Sequence, residues 1–246
     1  MDQLSGGNSN TVYRDGDTVV RQTGPWSPFV HSLLHHLASR GFAESPRVLA
    51  VNDNTETLTY LHGTVGHAPL DADMQSDDAL LGAAQLLRRL HDQTADFVVP
   101  DDAQFMLPLA PGNRHEVICH NDFAPYNCVF QGARIVGILD FDTAAPGRRI
   151  WDVAYAVYRF VPLMTDAACL DQGWTSVPDR EARLRLFRLG YGSAHWAELI
   201  ETVTARIAAL TAYMQATGQN LDHLPGYEAD LDYIRMHRSG LERALE

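Results

Sequence analysis

The stretch 117–142, VICHNDFAPYNCVFQGARIVGILDFD, constrains the fold of this chain more than any other. Apolar residues at 117–118 and 135–139 predict two strands, and the turn-forming residues 131–134 predict a hairpin leading into the second. Polar side chains that handle metal ions or protons follow these strands: His120, Asp122, Asn127 and Asp140. The pattern therefore predicts a group of such side chains gathered at strand ends.

Three of these side chains are the types that phosphoryl transfer requires. That reaction needs a carboxylate to orient and deprotonate the accepting hydroxyl, and an amide oxygen and a second carboxylate to hold magnesium ions. Asp122 fits the first role, and Asn127 and Asp140 fit the second. Asn127 follows Asp122 by five residues, which is the Asp-to-Asn interval in the catalytic loop of protein kinases.

The ordered set resembles the aminoglycoside phosphotransferase family. His-x-Asp-x-x-x-x-Asn is followed by a hydrophobic hairpin into Leu-Asp-Phe-Asp, then by Ala-Pro-Gly and Trp-Asp-Val-Ala-Tyr. The resemblance implies an α+β, two-lobed protein-kinase-like fold with a five-stranded antiparallel sheet and one helix in the first lobe. Residues 1–62 would form this nucleotide-binding lobe, and residues 63–246 a mostly helical lobe with the catalytic loop and the acceptor site.

The same resemblance implies an activity. The protein would move the γ-phosphate of ATP or GTP, with Mg²⁺, to a hydroxyl of a small molecule. Family members phosphorylate aminoglycosides, other antibiotics, choline, homoserine and sugars, and the motifs do not select among these acceptors. We expect an aminoglycoside-like or other amino-bearing antibiotic or metabolite. Acidic residues near the C-terminus could receive an amino group, although an exposed charged helix face is the simpler explanation: Asp222, Glu228, Asp230 and Asp232.

A glycine-containing loop at residues 6–10 precedes a predicted hairpin that turns at Asp15-Gly16, and its backbone N–H groups could close over phosphates. By resemblance, Arg21 stands where the fold keeps a phosphate-binding lysine, and residues 60–62 lie at the hinge that binds adenine. The expected nucleotide-binding residues are Gly6, Gly7, Asn8, Ser9, Asn10, Arg21, Tyr60, Leu61 and His62.

Residues 27–40 predict a helix, with Ser27 as N-cap, Pro28 at the first helical position and Gly41 after its end. Kinases place on this helix a glutamate that pairs with the lysine, but no acidic residue occurs between Gly24 and Ser39. We therefore expect Arg21 to lack a partner and to turn onto the phosphates only when nucleotide binds. The histidines of this helix are interpreted as solvated: His31, His35 and His36.

Beyond Gly63–Gln75, interpreted as a linker, a helix is predicted from Ser76 to about Gln93. Further helices are predicted from Ile150 and at about 179–191, 193–217 and 222–245, with 96–115 and 143–149 as connections. Family resemblance suggests that Asp152 accepts backbone hydrogen bonds from the catalytic loop. His91 is interpreted as structural, and His120 as a residue of the catalytic site that braces the loop rather than transferring protons. Asp142 is interpreted as a capping residue, the alternative being contact with the metal through water.

Composition excludes other classes of protein. The net charge of −12 argues against nucleic acid as a partner, and all nineteen basic residues other than histidine are arginine. No apolar run reaches membrane-spanning length and no export signal is visible, so we expect a cytoplasmic protein that does not bind membranes. Three cysteines without a Cys-x-x-Cys pair argue against a disulfide framework and a structural zinc site.

Two other hypotheses stay open at the level of sequence. The first is a non-catalytic, nucleotide-binding protein of the immunity type, which the missing lysine and its missing glutamate favour. The second is a metal-dependent hydrolase that would use His115, His120, Asp122 and Asp140, although no further ligand has a typical spacing.

Overall fold

The computed structural model describes residues 2–4, 12–112 and 115–246, so the glycine-containing loop at residues 6–10 lies outside the described residues. The strands are β1 Asp2–Leu4, β2 Val12–Asp15, β3 Thr18–Gln22, β4 Val48–Val51, β5 Thr55–Thr59, β6 Thr64–Val65, β7 Val117–Cys119, β8 Cys128–Gln131, β9 Arg134–Ile138 and β10 Ala145–Gly147. The α-helices are α1 Ser27–Ser39, α2 Ala72–Gln75, α3 Asp77–Thr94, α4 Arg149–Phe160, α5 Asp166–Asp171, α6 Arg180–Tyr191, α7 Leu199–Thr217 and α8 Leu224–Arg243.

The first part of the chain forms a five-stranded antiparallel sheet in the order β1-β2-β3-β5-β4. The β2–β3 turn contains Gly16 at a φ of 60°, a left-handed conformation that glycine adopts without steric cost. In the pairing of β3 with β5, Arg21 lies directly opposite Glu56. The expected five strands are therefore present, and their register brings two opposite charges together.

Helix α1 buries its apolar stripe against the core, but its start differs from the prediction. Trp26 is the N-cap and makes no side-chain cap, whereas Ser27 is the first helical residue. The Ser27 hydroxyl accepts a hydrogen bond from the backbone N–H of Gly24, three residues earlier. Ser27 therefore supports the turn that leads into the helix instead of capping the helix itself.

The second part of the chain surrounds the β8–β9 hairpin with helices. Strand β6 pairs with β8, and β10 pairs with β7, so residues 64–65 and 145–147, both predicted as connections, are strands. The predicted linker also contains α2. Helix α3 packs on α6, α4 packs on α7, and α7 packs on α8.

Helix boundaries agree with the sequence pattern for α3, and within one residue for the start of α4 and for α6. The Ser76 hydroxyl caps α3 by accepting from the N–H of Ala79. Helix α7 begins at Leu199 and not near residue 193, because residues 196–198 form a 3₁₀ turn, and α5 was not predicted.

All three cysteines are buried and unbridged. Among the described helices, none is both long enough and apolar enough for a membrane span.

Hydrogen bonds join α1 and the connection after it to the helical part of the molecule. His36 Nε2 donates to the carbonyl oxygen of Gln93 at 2.8 Å, and the N–H of Ile138 donates to that of Glu44 at 2.7 Å. His36 is half-buried, so its interpretation as a solvated histidine was wrong; His35 is exposed as expected. These contacts hold the sheet beside the end of the β8–β9 hairpin, where the candidate active site lies.

Candidate active site

The loop between β7 and the 3₁₀ turn at residues 125–127 is held by one buried carboxylate. Asp152 accepts hydrogen bonds from the backbone N–H groups of His120 at 2.7 Å and Asn121 at 2.8 Å. His91 Nε2 donates to the same carboxylate at 3.0 Å, and His91 Nδ1 contacts the Tyr191 hydroxyl at 2.7 Å. The expectations that Asp152 buttresses the loop and that His91 is structural are confirmed.

The charge of Asp152 is stabilised by these neighbours. Burial by itself raises the pKa of a carboxyl group, but the hydrogen bonds from His91 and from the backbone of His120 bring the pKa of Asp152 below its usual value. Asp152 is thus held ionised beneath the loop, where the backbone N–H groups require an acceptor.

Asn121 shapes the loop through a backbone conformation that is rare outside glycine. Its φ is 66°, in the left-handed region. Its side chain donates to the carbonyl of Thr143 at 2.9 Å, and Arg206 donates to the Asn121 carbonyl at 2.6 Å. Contacts from two distant segments therefore hold Asn121 in this conformation, immediately before Asp122.

Both carboxylate oxygens of Asp122 are occupied. Oδ1 accepts from the hydroxyl of Tyr126 at 2.6 Å, and Oδ2 accepts from Asn127 Nδ2 at 2.8 Å. Asn127 Nδ2 also lies 3.0 Å from the backbone carbonyl of Asp122. Because the amide nitrogen of Asn127 points to Asp122, its oxygen Oδ1 is left for another partner. Burial raises the pKa of Asp122, while the Tyr126 hydrogen bond and His120 oppose the increase.

His120 uses both ring nitrogens within the protein. Nε2 donates to the carbonyl of Leu139 at 2.9 Å, and Nδ1 accepts from the backbone N–H of Asp122 at 3.3 Å. The tautomer follows from these partners. With neither nitrogen directed to a substrate, the contacts agree with the interpretation that His120 braces the loop.

Asp140 stands at the end of β9 with a φ of 57°, and its side chain is 53% exposed. One Arg21 nitrogen lies 3.4 Å from it, which is a weak contact. The amide oxygen of Asn127 and the carboxylate of Asp140 are hard oxygen donors that suit Mg²⁺, which keeps several water and phosphate ligands of its own. Both residues fit the predicted metal site, and their assignment as ligands stays a prediction.

Within the described part of the chain, no three His, Cys, Asp or Glu side chains form a metal-binding group. The hydrolase hypothesis required such a group from His115, His120, Asp122 and Asp140. The described residues therefore give this hypothesis no support.

Arg21 has partners, contrary to the expectation. Its Nε binds Glu56, which is completely buried, and its Nη2 donates to Asp142 at 2.6 Å. His31, on α1, donates from Nε2 to the second oxygen of Glu56. The glutamate that sequence analysis sought on α1 comes instead from β5, and α1 contributes a buried histidine that binds it. The interpretation of His31 as solvated was wrong.

The charges around Arg21 hold its side chain in place. Burial lowers the pKa of an arginine, but Asp142, Glu56 and Asp140 outweigh this effect and raise the pKa of Arg21. Burial also raises the pKa of Asp142, against the lowering effect of Arg21. Asp142 is therefore an ion-pair partner and not the capping residue we expected, and Arg21 is anchored before any nucleotide arrives.

The predicted adenine-binding segment, Tyr60, Leu61 and His62, follows β5. The N–H of Tyr60 donates to the carbonyl of Asp17 at 2.8 Å, and Arg14 stacks 3.8 Å above the Tyr60 ring. The N–H groups of Leu61 and His62 donate to no described residue. Gly137 on β9 permits close approach, since a Cβ there would lie 2.6 Å from Leu61 Cδ1.

A tyrosine cluster beside Asp122 was missed by sequence analysis. The hydroxyl of Tyr126 contacts that of Tyr155 at 2.7 Å, and the Tyr158 hydroxyl donates to Asp230 at 2.6 Å. Asp230 is 7% exposed, and its burial raises its pKa, so its interpretation as part of an exposed helix face was wrong. The only sequence signal was the spacing of Tyr155 and Tyr158, which places both on one side of α4.

Comparison with known proteins decides the family. Residues 100–199 match the model of the phosphotransferase enzyme family. A trifolitoxin immunity protein from Rhizobium leguminosarum bv. trifolii is 36% identical over 194 residues, which are 77% of this chain and 73% of that protein. The chain belongs to the phosphotransferase enzyme family. The expected resemblance is thereby confirmed, and so is the class of activity, a phosphotransferase with an alcohol group of a small molecule as acceptor.

A second related sequence and a solved structure are also similar to this chain. Homoserine kinase from Brucella anthropi is 28% identical over 193 residues, covering 61% of this chain and 59% of that enzyme. A choline/ethanolamine kinase family protein from Mesorhizobium loti has a structure with a TM-score of 0.65 at 17% identity, covering 99% of this chain and 91% of the other. The structural similarity confirms the protein-kinase-like fold.

Proposed function

We propose that this phosphotransferase moves the γ-phosphate of ATP or GTP, in the presence of Mg²⁺, to a hydroxyl of an amino-bearing antibiotic or metabolite. The observation that carries the proposal is the pair of hydrogen bonds from Asn127 to Asp122 at 3.0 and 2.8 Å. They join a candidate base to a candidate metal ligand, so that the hydroxyl and the metal-bound phosphate would meet at one point.

In this mechanism Asp122 orients the acceptor hydroxyl and takes its proton. Its raised pKa makes it a better base than an exposed aspartate, and the hydrogen bond from Tyr126 keeps the carboxylate oriented. Bound magnesium would neutralise charge on the transferred phosphate. Asn127 Oδ1 and Asp140 would hold that ion, and His120 would keep the loop rigid.

Residues 1–62 would form one lobe, which binds the nucleotide. Residues 63–246 would form the second lobe, opposite it. The loop at Gly6, Gly7, Asn8, Ser9 and Asn10 would cover the phosphates, and backbone groups of residues 60–62 would bind the base. The N–H groups of Leu61 and His62, which donate to no residue in the described part of the chain, support this role. Arg21, anchored by Glu56 and Asp142, would present its guanidinium to the phosphates from a fixed position.

The 36% identity to an immunity protein favours a protective function as the second candidate: the acceptor would be a toxin that phosphorylation inactivates. The non-catalytic form of this alternative depended on the missing lysine and on its missing glutamate. Glu56 supplies the second of these, because it pairs with the cation at position 21, and the intact Asp122, Asn127 and Asp140 favour catalysis.

The proposal is tested by thermal shift with ATP–Mg²⁺ and GTP–Mg²⁺, followed by mass spectrometry of a panel of hydroxylated amines and antibiotics incubated with nucleotide. We expect stabilisation by a magnesium–nucleotide complex and one phosphorylated product, absent with Asp122→Asn. Asp101→Asn is the matched control, because Asp101 is exposed and has no role in the proposed mechanism. Absence of stabilisation by both nucleotides would refute the proposal.

A further inference from the structure

Arg159, near the end of α4, is a cation for which the proposed mechanism has no use. Its Nε is buried and has no hydrogen-bond partner, and the residue makes no ion pair or hydrogen bond with any described residue. The residues outside the described ranges contain no aspartate or glutamate that could serve as its partner. Arginine stays charged in proteins, so Arg159 is a cation that lacks an anion.

Of the other buried arginines, Arg180 and Arg183 have carboxylate partners, whereas Arg206 donates to the backbone carbonyl of Asn121. Arg180 lies 3.0 Å from Asp166, and Arg183 lies 3.3 Å from Asp77. With 31 acidic residues against 19 arginines, the chain has enough carboxylates to pair every arginine. The missing partner of Arg159 is therefore not a consequence of composition.

The surroundings of Arg159 are aromatic. Its Cζ lies 5.4 Å from the centre of the Tyr126 ring and 5.2 Å from that of Tyr158. Cation–π contacts stabilise the charge, but they do not satisfy a buried N–H group. The nearby carboxylate of Asp230 accepts from Tyr158 and forms no ion pair with Arg159.

The same aromatic ring connects Arg159 to the catalytic carboxylate. The Tyr126 hydroxyl donates to Asp122 Oδ1, and Arg159 lies beside the Tyr126 ring. If the acceptor's hydroxyl approaches Asp122 from the side of Tyr126, the rest of a compact acceptor would lie close to the guanidinium of Arg159. A phosphate dianion there would be repelled by Asp122 and Asp230 more strongly than a carboxylate.

We propose that Arg159 binds a carboxylate of the acceptor, and hence that the substrate is a compact hydroxylated amino acid or a close derivative. This inference rests on the proposed function, since it names the acceptor of the same site. It also specifies the amino-bearing acceptor, because an amino acid carries both groups, and the bidentate geometry of arginine suits a carboxylate.

The test uses two matched pairs of compounds that differ only in the carboxylate: L-homoserine against 3-aminopropanol, and L-serine against ethanolamine. For each compound, kcat/KM is measured by release of nucleoside diphosphate, and binding by thermal shift with a non-hydrolysable nucleotide and Mg²⁺. We expect a preference for the carboxylated member of at least one pair by about tenfold or more, the scale of one charge-assisted hydrogen bond.

Arg159→Gln should abolish this preference by weakening only the carboxylated compound, and Arg159→Lys should retain part of it. Arg134→Gln, which changes an exposed arginine on β9, should leave the ratio unchanged. Melting temperatures establish that each variant is folded. If Arg159→Gln does not fold, a lower ratio of kcat/KM values within each pair for Arg159→Lys than for the wild type supports the inference, and an unchanged ratio contradicts it.

Equal or better use of the decarboxylated compounds by the wild type would overturn the inference. So would a preference that survives in folded Arg159→Gln. If none of the four compounds is phosphorylated, binding measured by thermal shift replaces kcat/KM. Equal or tighter binding of the decarboxylated compounds would then overturn the inference. Failure of the proposed function is separate, because it appears as lost stabilisation by magnesium–nucleotide without any acceptor present.

Discussion

Replacing Arg21 with methionine would show whether the buried ion pair with Glu56 holds the apo protein together. Glu56 is completely buried and the Arg21 side chain is 12% exposed, so solvent screens the pair little. Removing one partner of a buried pair costs about 3–5 kcal/mol, because the other charge is left uncompensated. His31 still donates to Glu56, so we expect the lower value, about 3 kcal/mol.

The measurement is urea unfolding of the apo protein, supported by thermal unfolding. For a chain of this size each kcal/mol lowers Tm by about 2–4 °C, so Arg21→Met should melt about 6–12 °C below the wild type. A double-mutant cycle with Glu56→Gln should give a coupling of about 0.5–3 kcal/mol, since the residues are in direct contact.

Arg40→Met is the matched control. Arg40 pairs with Asp96, but both side chains are exposed, and a surface pair contributes about 0–1 kcal/mol. A loss below about 1 kcal/mol in Arg21→Met, equal to that of the control, would refute the reasoning. Arg21 would then be a mobile phosphate-binding residue, as the sequence alone had suggested.

Three further predictions concern catalysis. Asp140→Ala should abolish magnesium-dependent stabilisation by nucleotide with only a small decrease in the apo melting temperature, because the Asp140 side chain is exposed and only its φ of 57° disfavours alanine; unchanged stabilisation would remove Asp140 from the site. Asp122→Asn should lower kcat by about 10²–10⁴-fold, with nucleotide affinity nearly constant in equilibrium titrations; equal losses in both would make Asp122 a binding residue. Tyr126→Phe should move the acid limb of the pH–rate profile to higher pH, since activity requires ionised Asp122 and the Tyr126 hydrogen bond lowers the pKa of Asp122. A limb shifted to lower pH would contradict this assignment.

The sequence by itself determined the parts of the site that are close together along the chain. Asp122 and Asn127 are hydrogen-bonded across five residues, and Asp140 follows one hairpin later, so spacing alone predicted their proximity. The helix that begins after Ser76 was equally predictable, because its cap and its apolar stripe are local features.

Only the tertiary structure decided which residues complete the site. Arg21 meets Glu56 because β3 pairs with β5 in one register, and His31 reaches Glu56 because α1 packs against that sheet. Asp230, far along the chain, is hydrogen-bonded to Tyr158 and forms no ion pair with Arg159. A carboxylate or a histidine looks the same in sequence whether it is solvated or buried, and its partner and its pKa are set by the segments that fold against it.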